Sequence, residues 1–271
     1  HGRWLPPSHG CPGATREAVC GVIARCHPPP STPPSMALGP ACAGWFPGME
    51  DPTGEMVWAA TVVLATHLRG AAAEQLAGRT VLELGAGTGA LASVAAGLHP
   101  GPRALVATDL PHRVDVIGQA VRHAPAAVAA ALCWGDVGAV AALCEECFGS
   151  GGADVVLCSD CLYTNWSDNL GGALAETIAA AISPVRDGVA IVAYMPRCAK
   201  HERSFFERAR ELGLAEQALP PPRELASAPE AAPFSPEELA RVRLLELRPR
   251  RPPQGGALPK GLPRRSAPQR R

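Results

Sequence analysis

The chain has 271 residues, 47% of them hydrophobic, with 25 basic against 25 acidic side chains, a composition suited to a folded body with a sizeable core. No uninterrupted apolar run is long enough to cross a bilayer, and the N-terminus lacks a basic-then-apolar signal pattern, so the expectation is a soluble monomer of the cytoplasm, or secondarily the nucleus, with no membrane partner. The balanced charge hides an asymmetry, because Arg248 to Arg271 hold eight Lys or Arg and no acid, leaving 17 basic against 25 acidic residues before them.

Residues 1–47 are broken by proline clusters such as "HPPPSTPP" and show no sustained periodicity, so an irregular Pro- and Cys-rich segment is predicted there. From Gly48 onward the pattern changes. "VWAATVVLATHLRG" predicts a helix closed by Gly70, and "RTVLELGAGTGALASVAAGL" predicts a buried strand, a glycine turn and a helix. "RALVATDL" reads as a strand, "HRVDVIGQAVRHA" as a helix, "AAVAAALCW" as a strand and "GAVAALCEECF" as a helix. In "DVVLCS" the residues Val155 to Cys158 are apolar on both alternating faces, as a central parallel strand covered by helices requires. A helix around Leu170 to Ile182, the strand "GVAIVAYM", the amphipathic helix "KHERSFFERARELG" and a last strand "RVRLLELRP" complete the order. Strands alternating with helices predict an α/β, Rossmann-like, doubly wound and mostly parallel seven-stranded sheet, with a helix-free antiparallel hairpin at the C-terminal end. The domain is placed at residues 48–249. Residues 250–271 read as a disordered basic tail: they are rich in Pro and Gly and lack the aromatics that would stack on bases, so nucleic acid is not the expected partner.

In a doubly wound sheet a ligand lies beyond the carboxyl ends of the strands, where strand order reverses. "ELGAGTG" falls at such an end. Glycines at 85, 87 and 89 let the backbone turn sharply and approach a ligand, and the following helix start adds oriented N–H groups. Asp109 closes the next strand, 24 residues after Gly85, where a carboxylate can accept both hydrogen bonds of a ribose diol. The set implies a cofactor containing a nucleoside. Dinucleotide folds use G-x-G-x-x-G, whereas this spacing is G-x-G-x-G with Ala90 to Ala92 following, which weakens a nicotinamide reading.

"VLELGAGTG" followed by "ATDL" resembles the S-adenosylmethionine site of class I seven-strand methyltransferases. With "GEMVW", "LCWGD" and "CSDCLYT" in the same order, the chain resembles more closely the protein-lysine methyltransferases that act on non-histone proteins, the methyltransferase-like 21 and valosin-containing-protein lysine methyltransferase group. The resemblance covers roughly residues 54–249. It implies S-adenosyl-L-methionine as cofactor and a protein presenting a lysine as substrate. It further implies Trp58, Gly85, Ala86, Gly87, Asp109, Trp134 and Ser159 as cofactor contacts, Ser159 standing where relatives commonly have Ala, with Glu83 as an indirect contact to the methionine amino group. From its residues alone Trp134 has two readings, an indole beside an adenine or core packing.

Asp160 and Tyr163, in "CSDCLYT", follow the fourth strand at the same sheet edge. A carboxylate can orient an ammonium, and a tyrosine can offer a π-face or a hydroxyl. Read alone, the pair could equally be a loop cap and a rim aromatic, but D-x-x-Y after this strand is the signature of the resembled family, which implies that Asp160 and Tyr163 are its catalytic pair. Cys144, Cys147, Cys158 and Cys161 have a zinc-like spacing, C-x-x-C, ten residues, C-x-x-C. Two of them fall on a helix and one inside a buried strand, so four thiolates cannot converge, and no metal site is expected. The remaining alternatives are a methyltransferase for a small molecule or another side chain, and a cofactor-binding protein without activity.

Overall fold

The computed structural model describes residues 52–149, 151–163 and 170–250. The expected N-terminal segment and basic tail lie outside them. After a 3-10 turn at Pro52–Glu55, helix α1 runs over Ala59–Arg69 and ends on Gly70, whose N–H reaches back to the carbonyls of Thr66 and His67. A short helix α2 (Ala73–Leu76) leads to β1 (Thr80–Leu84), α3 (Ala90–Ala96), β2 (Ala104–Asp109), α4 (Val114–Val121), β3 (Ala127–Ala131), α5 (Val137–Phe148) and β4 (Val155–Ser159). The chain continues through α6 (Leu170–Ala181), β5 (Val189–Tyr194), α7 (Ala199–Glu211), β6 (Leu214–Leu219), α8 (Pro236–Arg241) and β7 (Arg243–Pro249).

These strands form one seven-stranded sheet in the order β3-β2-β1-β4-β5-β7-β6. The first five are parallel, and β7 lies antiparallel between β5 and β6. Each parallel strand is buried on both faces because helices cover both, which is why its sequence is a continuous apolar run. Leu82, Leu84, Val106, Val156, Cys158 and Val192 face one way into a cluster with residues of α5, α6 and α7. Val81, Leu105, Ala107, Leu157 and Ile191 face the other way, against α1, α3 and α4.

The antiparallel C-terminal pair is present, but it is not helix-free. The connection from β6 to β7 carries 3-10 turns at Arg223–Ser227 and Pro229–Ala231, and then α8, opened by a capping box in which Ser235 and Glu238 exchange side-chain and backbone hydrogen bonds. Strand β6 carries no strand signal in the sequence for a physical reason. It is an edge strand with Leu214 buried and Ala215 to Ala218 exposed, so it shows neither alternation nor an apolar run.

At the N-terminal end of the strands Asp154 ties β1 to β4. Its Oδ2 accepts hydrogen bonds from the Thr80 N–H and Oγ1, both at 2.9 Å, and its Oδ1 pairs with the Arg186 guanidinium. Burial alone raises its pKa, but the Thr80 and Arg186 hydrogen bonds outweigh burial and hold it below the usual carboxylate value. A depressed folded-state pKa gives stability that is complete above the ordinary value near 4 and is lost as pH falls through the folded value. Asp154→Ala should therefore lower the thermal midpoint at neutral pH by roughly 5–10 °C. The gap to wild type should close in a series of melts taken toward pH 3.

Candidate active site

Strand order reverses between β1 and β4, since β2 and β3 follow on one side of β1 and β4 and β5 on the other. Leu84 pairs with Thr108 on one side and Cys158 on the other. The loops after β1, β2 and β4 therefore leave the sheet side by side, at the switch point where open α/β sheets bind ligands. Two glycines are required there. Gly85 has φ +67°, and a Cβ on it would lie 2.7 Å from Cys161 Sγ and 2.9 Å from Cζ2 of Trp134. Gly87 has φ +53°, and a Cβ would meet the Gly54 carbonyl oxygen at 3.3 Å. Ala86 between them is buried, its N–H bonded to the Thr108 carbonyl.

Asp109 caps this loop. Its Oδ2 accepts the Gly87 N–H and its Oδ1 the Leu110 N–H, both at 2.7 Å. Each oxygen keeps a further lone pair, enough for two hydroxyls of a diol. Burial is the main influence on its pKa, which stays above the ordinary value although both N–H bonds and Arg113 favour the charged form. Glu83, on β1, is 2% exposed, and its Oε2 has no hydrogen-bond partner among the described residues. Burial and then the neighbouring Asp109 charge push its pKa well up, against one backbone N–H bond from Ala92. One oxygen of a buried acid is thus left to take a cationic group beside the glycine cradle.

Trp134 is partly buried. It packs against the apolar cluster on the α5–α7 side and also lies on Gly85. Ser159 ends β4, and its hydroxyl is 2.8 Å from Thr61 Oγ1 on α1. Trp58 is the N-cap residue of the same helix. The 3-10 turn thus approaches the glycine loop at Gly54, and the start of α1 bonds the end of β4 through Thr61, with Trp58 between them in the chain.

Asp160 has φ +55°, a left-handed conformation that Asp tolerates better than most residues. Its N–H bonds the Ala193 carbonyl at 2.7 Å, and its Oδ1 accepts the Met195 N–H at 3.0 Å. Arg197 then forms a bidentate pair, NH1 to Oδ1 and NH2 to Oδ2, both at 2.8 Å, leaving the Asp160 side chain 3% exposed and that of Arg197 29%. The same guanidinium stands 5.1 Å from the Trp58 ring centroid. The carboxylate that the family resemblance assigns to the substrate ammonium is thus held by a cation of the chain itself; breaking such a buried pair costs about 3–5 kcal/mol. Tyr163 follows on the same loop, half-buried, and residues 164–169 lie outside the described residues.

Thr61 and Arg197 are absent from the sequence-derived set. Neither sits in a motif, and each reaches the site across a long sequence separation. Of the cysteines, Cys144, Cys147, Cys158 and Cys161 are all buried in the apolar cluster on the α5–α7 side. A hydrogen bond with Cys158, then burial, raises the Cys161 pKa, and burial pushes Cys144 up to about 11. Among the described residues no group of three or more His, Cys, Asp or Glu side chains is placed to hold a metal ion.

Gly85→Ala forces a side chain into a left-handed backbone and against Cys161 and Trp134. It should lower stability by about 2–4 kcal/mol, read as a drop in urea midpoint without a change in slope. Glu83 gives a pH signature opposite to that of Asp154. With its folded-state pKa raised, stability falls as pH climbs from the ordinary carboxyl value toward the folded one. Glu83→Gln, a neutral isostere, should match wild type in thermal midpoint near pH 4 and exceed it by a growing margin toward pH 8. A constant margin across that range would show that Glu83 is not the titrating group.

The family model described as lysine methyltransferase matches residues 48–212. Similar solved structures include an O-methyltransferase family protein from Burkholderia thailandensis, at 17% identity and a TM-score of 0.50 over 70% of this chain and 55% of that one. A TehB-like SAM-dependent methyltransferase from Corynebacterium glutamicum follows at 16% identity and TM-score 0.45, covering 72% and 89% of the two chains. Aeropyrum pernix fibrillarin with natively bound S-adenosyl-L-methionine gives 14% and 0.47, covering 70% and 76%. At such identities the likeness is one of fold, and this chain spans only about half the length of the Burkholderia protein. No curated protein matches the sequence. The family model spans more than half of the residues, including the glycine loop, Asp109 and the D-x-x-Y loop, and on that match the chain belongs to the lysine methyltransferase family.

Proposed function

We propose that the chain transfers a methyl group from S-adenosyl-L-methionine to the ε-amine of a lysine in a non-histone protein. The observation that carries this reading is the convergence of the Gly85–Gly87 cradle, the loop-capping Asp109 and the buried acid Glu83 at one switch point, in a chain of the lysine methyltransferase family. The residues fit the cofactor by chemistry. Asp109 has acceptor capacity for a ribose diol, Trp134 offers an indole beside Gly85, and Glu83 offers a carboxyl to the cationic methionine end. When bound, the cofactor supplies an electrophilic methyl group on a sulfonium.

The protein's own task is then to deliver a neutral amine in line with that methyl. A free lysine has a pKa of about 10.4, so the site must favour the deprotonated form. Partly desolvated surroundings do this, and so does the Arg197 charge, which offsets that of Asp160. Tyr163 is the residue proposed to meet the amine, by its hydroxyl or its ring. The remainder of the rate comes from positioning. Met56 and Val57, both exposed and preceding Trp58 in the chain, offer apolar surface to a polypeptide substrate.

Tritiated cofactor incubated with the full chain and nuclease-treated cell extract should label discrete protein bands, and acid hydrolysis should return the label as methyl-lysine. Asp109→Ala should reduce labelling at low cofactor by about tenfold or more, consistent with loss of a charge-assisted pair of hydrogen bonds. Label recovered in a small-molecule fraction, or on another amino acid, would replace this reading with the corresponding alternative.

A further inference from the structure

The Asp160–Arg197–Trp58 contact has two opposed interpretations. In one, Arg197 occupies the place of the substrate ammonium and must leave before reaction. In the other it stays, and Asp160 acts through it. Three features favour the second. The carboxylate is buried and bonded on both oxygens, Oδ1 also accepting the Met195 N–H, so the acid is integrated into the end of β5 and not presented to solvent. The Asp160 backbone holds a left-handed conformation fixed by the Ala193 carbonyl, so the loop has been shaped around this pairing. The planar guanidinium also uses its face, over Trp58, while its edge forks onto the carboxylate, a double engagement that an ammonium cannot reproduce.

The geometry points to Arg197 as a positioning residue that clamps the start of α1 onto the post-β4 loop, setting the Trp58 indole for the cofactor and Asp160 for the substrate channel. This rests on the methyltransferase reading above and deepens it. The post-β5 segment, in which Arg197 lies two residues after Met195, becomes a third wall of the site. It also changes the role of the D-x-x-Y acid. Asp160 paired with Arg197 adds no net negative charge to the channel, so it does not hold the incoming amine in its charged, unreactive form.

The test uses the full chain and its Arg197→Met, Arg197→Lys and Trp58→Leu variants, with S-adenosylhomocysteine affinity measured by calorimetry. Arg197→Met should bind about tenfold more weakly than wild type, and Arg197→Lys should fall between them. In a Trp58→Leu background the further change Arg197→Met should alter affinity by less than about twofold, because the contact it removes is already gone. An affinity within about twofold of wild type in both Arg197 variants, or the same loss with and without Trp58, overturns the proposal. Should Arg197→Met fail to fold, the Arg197→Lys affinity decides alone. Tritium labelling of extract proteins at saturating cofactor separates the opposed interpretations: weaker labelling by Arg197→Met is expected, and stronger labelling would mean that Arg197 merely blocks the amine's place. A wild-type chain that does not bind S-adenosylhomocysteine defeats the functional reading itself, whereas unchanged variants beside a binding wild type defeat only the role of Arg197.

Discussion

The site depends on one pairing register, that of Leu84 with Cys158 across the β1–β4 seam where strand order reverses. It brings two loops out of the sheet side by side, with Cys161 Sγ and the Trp134 ring packed on the Gly85 backbone. A slip of one residue would turn Glu83 and Leu84 to opposite faces and put a carboxyl into the α5–α7 core. The apolar residues of β1 and β4 on both faces forbid that slip. The hydrophobic pattern therefore sets the chemistry's geometry before any polar residue acts.

Three acids then share a small, poorly hydrated region, and each is accommodated differently. Glu83 has almost no hydrogen bonding to its charged form, and burial together with the Asp109 charge drives it toward the protonated state. Asp109 is stabilised by two backbone N–H groups of the loops it organises. Asp160 has a guanidinium of its own. Identical treatment would fail, since adjacent buried carboxylates cannot all ionise unaided. The sequence of charge compensation, from an acid with a raised pKa through backbone dipoles to an ion pair, runs from the proposed methionine end of the cofactor toward the proposed substrate side. A cation arriving at Glu83 would meet an acid able to lose its proton, whereas an amine arriving near Asp160 would meet a charge already balanced.

Much of this was legible in the sequence, and what was legible shares a property: it is local. The parallel strands announce themselves by apolar runs, the cradle by glycines at alternate positions, and Asp109 by its place at the end of the next strand. What was not legible depends on distant partners or on weak patterns. Strand β6 is exposed along most of its length, and α8 is a short helix set in the β6–β7 connection. Thr61 reads as one more small residue of an apolar helix until its hydroxyl is seen 2.8 Å from Ser159, 98 positions away. Arg197 follows a strand in a Pro-containing turn with no periodicity to mark it. Its role exists only because β5 lies beside β4, so that the residues after one strand can clasp those after the other.

The stretch around Cys158 and Cys161 shows how spacing misleads when structure is ignored. Cys158 faces the α5–α7 core as strand filling, while Cys161, three residues on, turns back beneath the glycine loop with its thiol 3.4 Å from the Leu84 carbonyl. A larger side chain at 161 would press on Gly85 and displace the cradle, and an acidic one would add a negative charge beside Asp109 and Asp160. A small, weakly polar, uncharged residue is what the position requires, and cysteine meets that requirement by packing. The backbone, left-handed at Asp160, sends these adjacent side chains to different tasks. Cys161 packs against the glycine loop, and Asp160 engages Arg197 on the post-β5 segment.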